Sequence, residues 1–168
     1  VDTILVARDS SSASRRALRT GLLLATKMQA ALHVLHVFEE QKEVYPTKDL
    51  DAVGRELVQS DHTTEQALQS VSVRASERQG TDAGPTILRY AEEENVDLIA
   101  LGTHGRSGVK RVFIGSVAER VIRRANRAVL TVKDREAKEE RASLESIDRI
   151  LVPVDFSRHA LEATRVAT

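Results

Sequence analysis

The sequence predicts an α/β domain: an open parallel sheet of five strands with helices on both faces. Three observations predict it. Short apolar runs alternate with stretches of helical periodicity up to Val132, the pattern of successive β-α units joined by right-handed crossovers. The runs are apolar almost throughout instead of at every second residue, as strands covered on both faces are. A glycine-rich stretch follows directly on the most apolar run, Leu98 to Leu101, and open parallel sheets carry their ligands at such strand ends.

Taken in order, Thr3-Ile4-Leu5-Val6-Ala7 is the first strand. It ends at Arg8-Asp9, and Ser10 to Ser14 supply N-cap candidates for the helix that follows. That helix carries Ala17, Leu18, Gly21, Leu22, Ala25 and Met28 at the three-and-four spacing of one buried face. Ala31 to Phe38 is the second strand. Glu39 to Pro46 is a polar connection, and Lys48 to about Gln69 has helical character, interrupted at Gly54. Val71 to Ala75 alternates and is assigned as the third strand, although Leu68, Val71 and Ala75 would also share one side of a helix. Pro85 fits the first turn of a helix through Ile87, Leu88, Ala91 and Glu94. Val96 to Leu101 is the fourth strand, Ser116 to about Ala125 the next helix, and Ala128 to Val132 the fifth strand.

Past this point the composition changes, so the expected organisation is a domain over 1–133, a charged linker over 134–147 and a partial repeat over 148–168. Asp148 to Ser157 mirrors Asp2 to Ser11 without a gap: Ile150-Leu151-Val152 matches Ile4-Leu5-Val6, and Asp155 matches Asp9. This is the beginning of a second domain copy, carrying its first strand and part of a helix. So short a fragment cannot offset its own ordering entropy, and it is expected to dock on existing structure, the sheet of a neighbouring subunit included, or to stay disordered.

Composition narrows the function. Twenty-five Lys and Arg balance 25 Asp and Glu, so whole-molecule attraction to nucleic acid or to an anionic membrane is not expected. The absence of cysteine removes disulfides, thiol catalysis and thiolate metal sites. No apolar run approaches the roughly 20 residues that span a bilayer, and no secretory leader is visible, so the expected location is cytoplasmic. His33 and His36 are three apart on a strand and face opposite ways, which argues against a metal pair.

The chemistry concentrates in Gly102-Thr103-His104-Gly105-Arg106-Ser107-Gly108, with Gly115-Ser116 opening a helix ten positions after Gly105. Gly102 and Gly105 let backbone approach a ligand, and the first amides of the helix favour an anion. Together these read as a phosphate cradle. It lacks the Lys-Ser or Lys-Thr ending of a Walker A loop and the glycine spacing of a dinucleotide fingerprint. Arg106, Lys110 and Arg111 suit either charge neutralisation of a triphosphate or plain surface solvation. Two roles also fit Asp9: acceptor for a nucleoside, or cap for the next helix.

Gly-x-x-Gly, nine residues, then Gly-Ser resembles the signature of the universal stress protein family, ATP-binding type, with Gly102, Gly105, Gly115 and Ser116 at its four positions. The first strand ending in Asp9, the Leu35-His36-Val37 ending of the second and Thr103-His104-Gly105 agree with it. The resemblance covers Asp2 to about Lys133 and implies a Rossmann-like sheet of the adenine nucleotide alpha hydrolase type. It also implies a site: Asp9 and the backbone around Val37 at the adenine and ribose end and Gly102, Gly105, Gly115 and Ser116 at the phosphates, with Ala7, Leu101, His104, Arg106 and Val117 among the other binding residues. His104 would act through its backbone. ATP, with Mg2+ or Mn2+, is the implied ligand, and a homodimer through Ala128 to Val132 the implied assembly. Ala7-Arg8 departs from the more usual Pro and uncharged residue, which Pro153-Val154 keep, so Arg8 either crowds the pocket or points outward.

No Ser-His-Asp group, supported acidic pair or water-positioning residue is recognisable. The function expected is therefore a nucleotide-responsive regulatory or stress-resistance module. The alternatives are a slow ATP-hydrolysing or adenylating enzyme on the same fold and a nucleotide-free dimerisation module.

Overall fold

The computed structural model describes residues 1–38, 67–103 and 114–133, together with Arg158. The chain divides into two units, 1–137 and 138–168, and every element below belongs to the first. The second half of the loop motif's first glycine pair, the helix expected before Ala67, the charged linker and the repeat fall outside the described residues.

The elements are β1 (Thr3–Arg8), α1 (Ser12–Met28), β2 (Ala31–Phe38), β3 (Val73–Gln79), α2 (Ala83–Glu93), β4 (Leu98–Gly102), α3 (Ser116–Arg124) and β5 (Ala128–Val132). All five strands are parallel, in the order β3-β2-β1-β4-β5. The chain thus builds outward from β1 in one direction and then returns to its other side. That reversal leaves a crevice beyond the carboxyl ends of β1 and β4, the place where such sheets bind ligands.

Alternation along each strand sorts the core into two layers. Ile4 and Val6 of β1 pack with Ala17, Leu18, Leu22 and Ala25 of α1. Leu5 faces the other way, with Leu35 and Ile99, onto Ile87, Tyr90 and Ala91 of α2 and Ala118 and Val121 of α3. Each fully buried Leu or Ile contributes about 1.5–3 kcal/mol, so the doubly covered central strands supply most of the stability. Gly21 lets α1 lie close: a Cβ there would stand 2.5 Å from Cγ2 of Val6. At the start of the sheet, Oδ2 of Asp97 accepts the amides of Asp2 and Thr3 at 2.7 and 3.0 Å. Those two bonds hold the Asp97 carboxyl below its ordinary pKa.

The third strand is where sequence and structure differ. Residues 67–70 are helical, and β3 covers Val73 to Gln79 where alternation suggested Val71 to Ala75. Its register with β2 is continuous from Leu32 opposite Val73 to Phe38 opposite Gln79. The strand is therefore as long as its partner allows, although it includes Arg74, Glu77, Arg78 and Gln79. As the end strand of the described sheet it tolerates polar residues, and the apolar content that identified the others stops short. β4 likewise starts at Leu98; Val96 is buried but precedes the ladder. The two histidines of β2 do face opposite ways: Nδ1 of His33 lies 3.3 Å from the hydroxyl of Tyr90, whereas His36 Nδ1–H donates to the Arg8 carbonyl at 3.0 Å.

Candidate functional site

A cleft opens at the switch point, and three walls make it. The first is the β1–α1 turn, with Ala7, Arg8, Asp9, Ser11 and Ser14. Oδ1 of Asp9 accepts the amide of Ser11 at 2.9 Å and its hydroxyl at 2.5 Å, and Ser11 in turn caps α1 by accepting the Ser14 amide at 3.1 Å. The Ser14 hydroxyl donates to the Asp9 carbonyl at 2.5 Å and accepts the Asp9 amide at 3.2 Å. The cap of α1 is therefore Ser11 and not Asp9, whose Oδ1 instead holds the capping serine in place. Oδ2 of Asp9 has no hydrogen bond among the described residues.

The second wall is made by Leu101 and Gly102 of β4 with Gly115, Ser116, Val117 and Ala118 at the start of α3. The amide of Thr103 donates to the Val132 carbonyl at 3.0 Å, and that of Gly115 to the Thr103 carbonyl at 2.5 Å. The two ends of the loop are therefore stapled together beside β5. Gly115 is the N-cap of α3 and offers no side-chain hydrogen bond. The first amides of the helix keep their hydrogen-bonding capacity, and with the dipole they form an anion-attracting end in the cleft.

Gly102 has a structural role the sequence did not reveal. A Cβ on it would meet the α1 backbone, 2.7 Å from the carbonyl carbon of Ala13 and 2.8 Å from the amide nitrogen of Ser14. The glycine lets the amino end of α1 close onto β4, which brings the first two walls together.

The third wall is apolar: Leu35 and Val37 from β2 with Ala83 and Ile87 from α2. Asp82 caps α2 by accepting the Gly84 amide at 3.1 Å, and its other oxygen pairs with Arg120 of α3. Gly84 packs directly on the Arg120 stem. This junction sets α2 and α3 side by side with their amino ends at the cleft. Arg123 pairs with Glu119 at 2.9 Å along the exposed side of α3.

Of the expected site residues, Ala7, Asp9, Val37, Leu101, Gly102, Gly115, Ser116 and Val117 line this one cleft. His104, Gly105 and Arg106 lie outside the described residues, as do Lys110 and Arg111. Ser11 and Ser14 belong to the cleft and were visible only as caps. Ala83 and Ile87 carry no sequence signal for the site, since an apolar residue on an amphipathic helix reads as core. Arg8 is part of the wall and half-buried. Desolvation and the nearby Arg15 guanidinium disfavour its charge, and Asp9 favours it.

A family model described as "Universal stress protein family" matches residues 1–133. The chain belongs to the universal stress protein family. Universal stress protein MJ0531 of Methanocaldococcus jannaschii is 32% identical over 142 residues, covering 77% of this chain and 81% of that one. The solved structure of MJ0577, from the same organism, superposes with a TM-score of 0.59 at 27% identity, covering 81% of this chain and 98% of that one. Two members that share the fold at lower identity were solved as nucleotide complexes. One, with cAMP, is 23% identical at a TM-score of 0.55 and covers 78% of this chain and 96% of its own. The other, from Archaeoglobus fulgidus with dAMP, is 22% identical at 0.53 and covers 79% and 98%. Nucleotide binding thus occurs among the universal stress proteins that share this fold. Among the described residues of this one, no helix is long and apolar enough to cross a membrane.

Proposed function

We propose that this universal stress protein binds ATP in the cleft at the switch point and acts as a nucleotide-responsive regulatory module in the cytoplasm. One observation carries the reading: in a single cleft, the uncapped amino end of α3 stands with the Asp9 carboxylate and an apolar slot of Leu35, Val37, Ala83 and Ile87. Those three features match the three parts of an adenine nucleotide. The slot suits the base, Oδ2 of Asp9 accepts ribose hydroxyls, and the amides of Ser116 to Ala118 meet phosphate with Gly102, His104, Gly105 and Arg106 of the loop. Mg2+ or Mn2+ would accompany the phosphates and neutralise part of their charge. Asp9 is the one carboxylate among the described cleft residues, so such an ion would be held chiefly by phosphate and water.

Regulation is favoured over turnover by the make-up of the wall. Among its described residues Asp9 is the sole candidate base, and half its carboxylate is engaged in the turn. Homodimerisation is proposed through β5, which pairs with β4 and ends the described sheet, leaving main-chain groups for a second copy.

The deciding experiment identifies the nucleotide released on denaturing the purified protein, with its stoichiometry, and follows ATP binding by calorimetry in the native chain and in Gly105→Val. Adenine nucleotide at one per chain and loss of binding in the variant are expected. Full ATP affinity in a folded Gly105→Val sinks the cradle. No adenine absorbance and no binding would leave a nucleotide-free dimerisation module, and rapid loop-dependent ATP turnover would make the protein an enzyme.

A further inference from the structure

Two of the three walls meet at one polar junction. Asp82 is the N-cap of α2, its Oδ1 accepting the Gly84 amide at 3.1 Å and its carbonyl accepting the Thr86 hydroxyl at 2.9 Å. The other carboxylate oxygen pairs with Nη1 of Arg120 on α3. The Arg120 stem runs across Gly84, where an added Cβ would stand 3.0 Å from Cδ and 3.3 Å from Cβ and Cγ. Neither Asp82 nor Arg120 is among the described residues of the cleft wall, but their neighbours are: Ala83 follows Asp82, and Ser116 lies one helical turn before Arg120. Inside the molecule the two helices share a core through Ile87, Tyr90, Ala91, Ala118 and Val121. At their amino ends the like partial charges of two helix dipoles stand side by side and repel. The Asp82 carboxylate caps one helix and binds a cation of the other, and so offsets that repulsion at the cleft.

We infer that Asp82 and Arg120 form a positioning clamp that fixes the apolar slot of α2 relative to the amino end of α3, and thereby favours ligands that carry base and phosphates on one molecule. The inference rests on the adenine-nucleotide reading above. A nucleoside needs only the slot and Asp9, and can follow α2 if that helix shifts. A nucleotide must meet the slot and the α3 amides at once, so its advantage from joining two contacts in one ligand depends on the spacing between them being held. The Arg120 and Asp82 side chains are 40% and 39% exposed, and so wet an ion pair contributes little to the stability of a whole fold. Its consequence is therefore local, in the alignment of two walls.

The test measures ATP affinity by calorimetry and adenosine affinity by competition with ATP, on the full chain, with urea unfolding of each protein. The proteins are the native chain, Arg120→Met, Arg120→Lys, Asp82→Asn, and the double variant of Arg120→Met with Asp82→Asn. Methionine keeps an unbranched stem over Gly84 without the charge, and asparagine keeps the α2 cap. Arg120→Met and Asp82→Asn are each expected to weaken ATP about threefold, the scale of a part-exposed ion pair, with adenosine changed by less than about 1.5-fold and the urea midpoint nearly unmoved. Arg120→Lys should keep most of the ATP affinity, because the charge stays. The double variant should bind ATP no more weakly than either single one, since both remove the same pair. ATP affinity unchanged in Arg120→Met, ATP and adenosine weakened equally, or losses that add in the double variant, each overturn the inference and leave the binding site standing. If the native chain binds no ATP, the adenine-nucleotide reading itself fails, and the clamp falls with it.

Discussion

Replacing Gly102 by alanine tests how the cleft is assembled. The added Cβ would lie 2.7 Å from the carbonyl carbon of Ala13 and 2.8 Å from both the Ala13 Cβ and the Ser14 nitrogen. Ordinary contact begins at 3.4 Å, so β4 and the amino end of α1 must separate by about 0.7 Å. Two of the three opposing atoms are main chain and cannot turn aside as a flexible side chain does. The separation therefore moves the helix, or bends the strand that Leu98 to Leu101 hold in register with β1. Overpacking of this kind costs about 1–3 kcal/mol, and backbone contact puts Gly102→Ala in the upper half of that range. The shift also displaces Ser14, whose hydroxyl makes two hydrogen bonds with the main chain of Asp9. Urea unfolding without any nucleotide should show the loss of stability, and calorimetry a weaker ATP affinity. A variant within about 0.5 kcal/mol of the native protein, the ordinary range of harmless substitutions, would show that β4 and α1 are not in tight contact. A variant of native stability that nonetheless loses ATP would return Gly102 to the role of making room for phosphate.

Ser14→Ala removes the hydroxyl that closes the β1–α1 turn, and should cost about 1 kcal/mol in urea unfolding and weaken nucleotide binding through Asp9; native values for both would refute the link. Tyr90 is fully buried, donating to Ser76 Oγ at 3.1 Å beside His33; Tyr90→Phe should cost about 1–2 kcal/mol, because buried partners lose a hydrogen bond while the ring packing is kept. Burial first, and Arg74 second, hold the His33 imidazole below its ordinary pKa of 6.5, with Glu94 opposing. The charged form is thus disfavoured in the folded chain, and the unfolded chain takes up its proton first as pH falls. Stability tied to His33 is complete above about pH 6.5 and is lost as pH falls through the lower folded value. The urea midpoint should drop between pH 7.5 and pH 5.5, and less in His33→Gln; an equal drop in both would exonerate His33.

What could be read from the sequence alone is what local chemistry specifies. Apolar runs that resist alternation announced β1, β2, β4 and β5 and their parallel arrangement, because a strand covered on both faces must be apolar on both. The serines after Asp9 announced the capped start of α1, and the spacing of Gly102, Gly115 and Ser116 singled out residues that line one cleft. The tertiary structure decided the rest. The extent of β3 depended on β2, since a polar end strand is defined by its hydrogen-bonding partner rather than by its own side chains. Ala83 and Ile87 joined the site only because Asp82, Gly84 and Arg120 hold α2 against α3, an arrangement made across residues nearly 40 positions apart. Gly102 read as making room for a ligand, and only the tertiary structure showed that the backbone of Ala13 occupies the space its Cβ would need. Spacing along a chain records which residues neighbour each other locally, whereas clearance between a strand end and a helix end exists only once the sheet has brought both to one place.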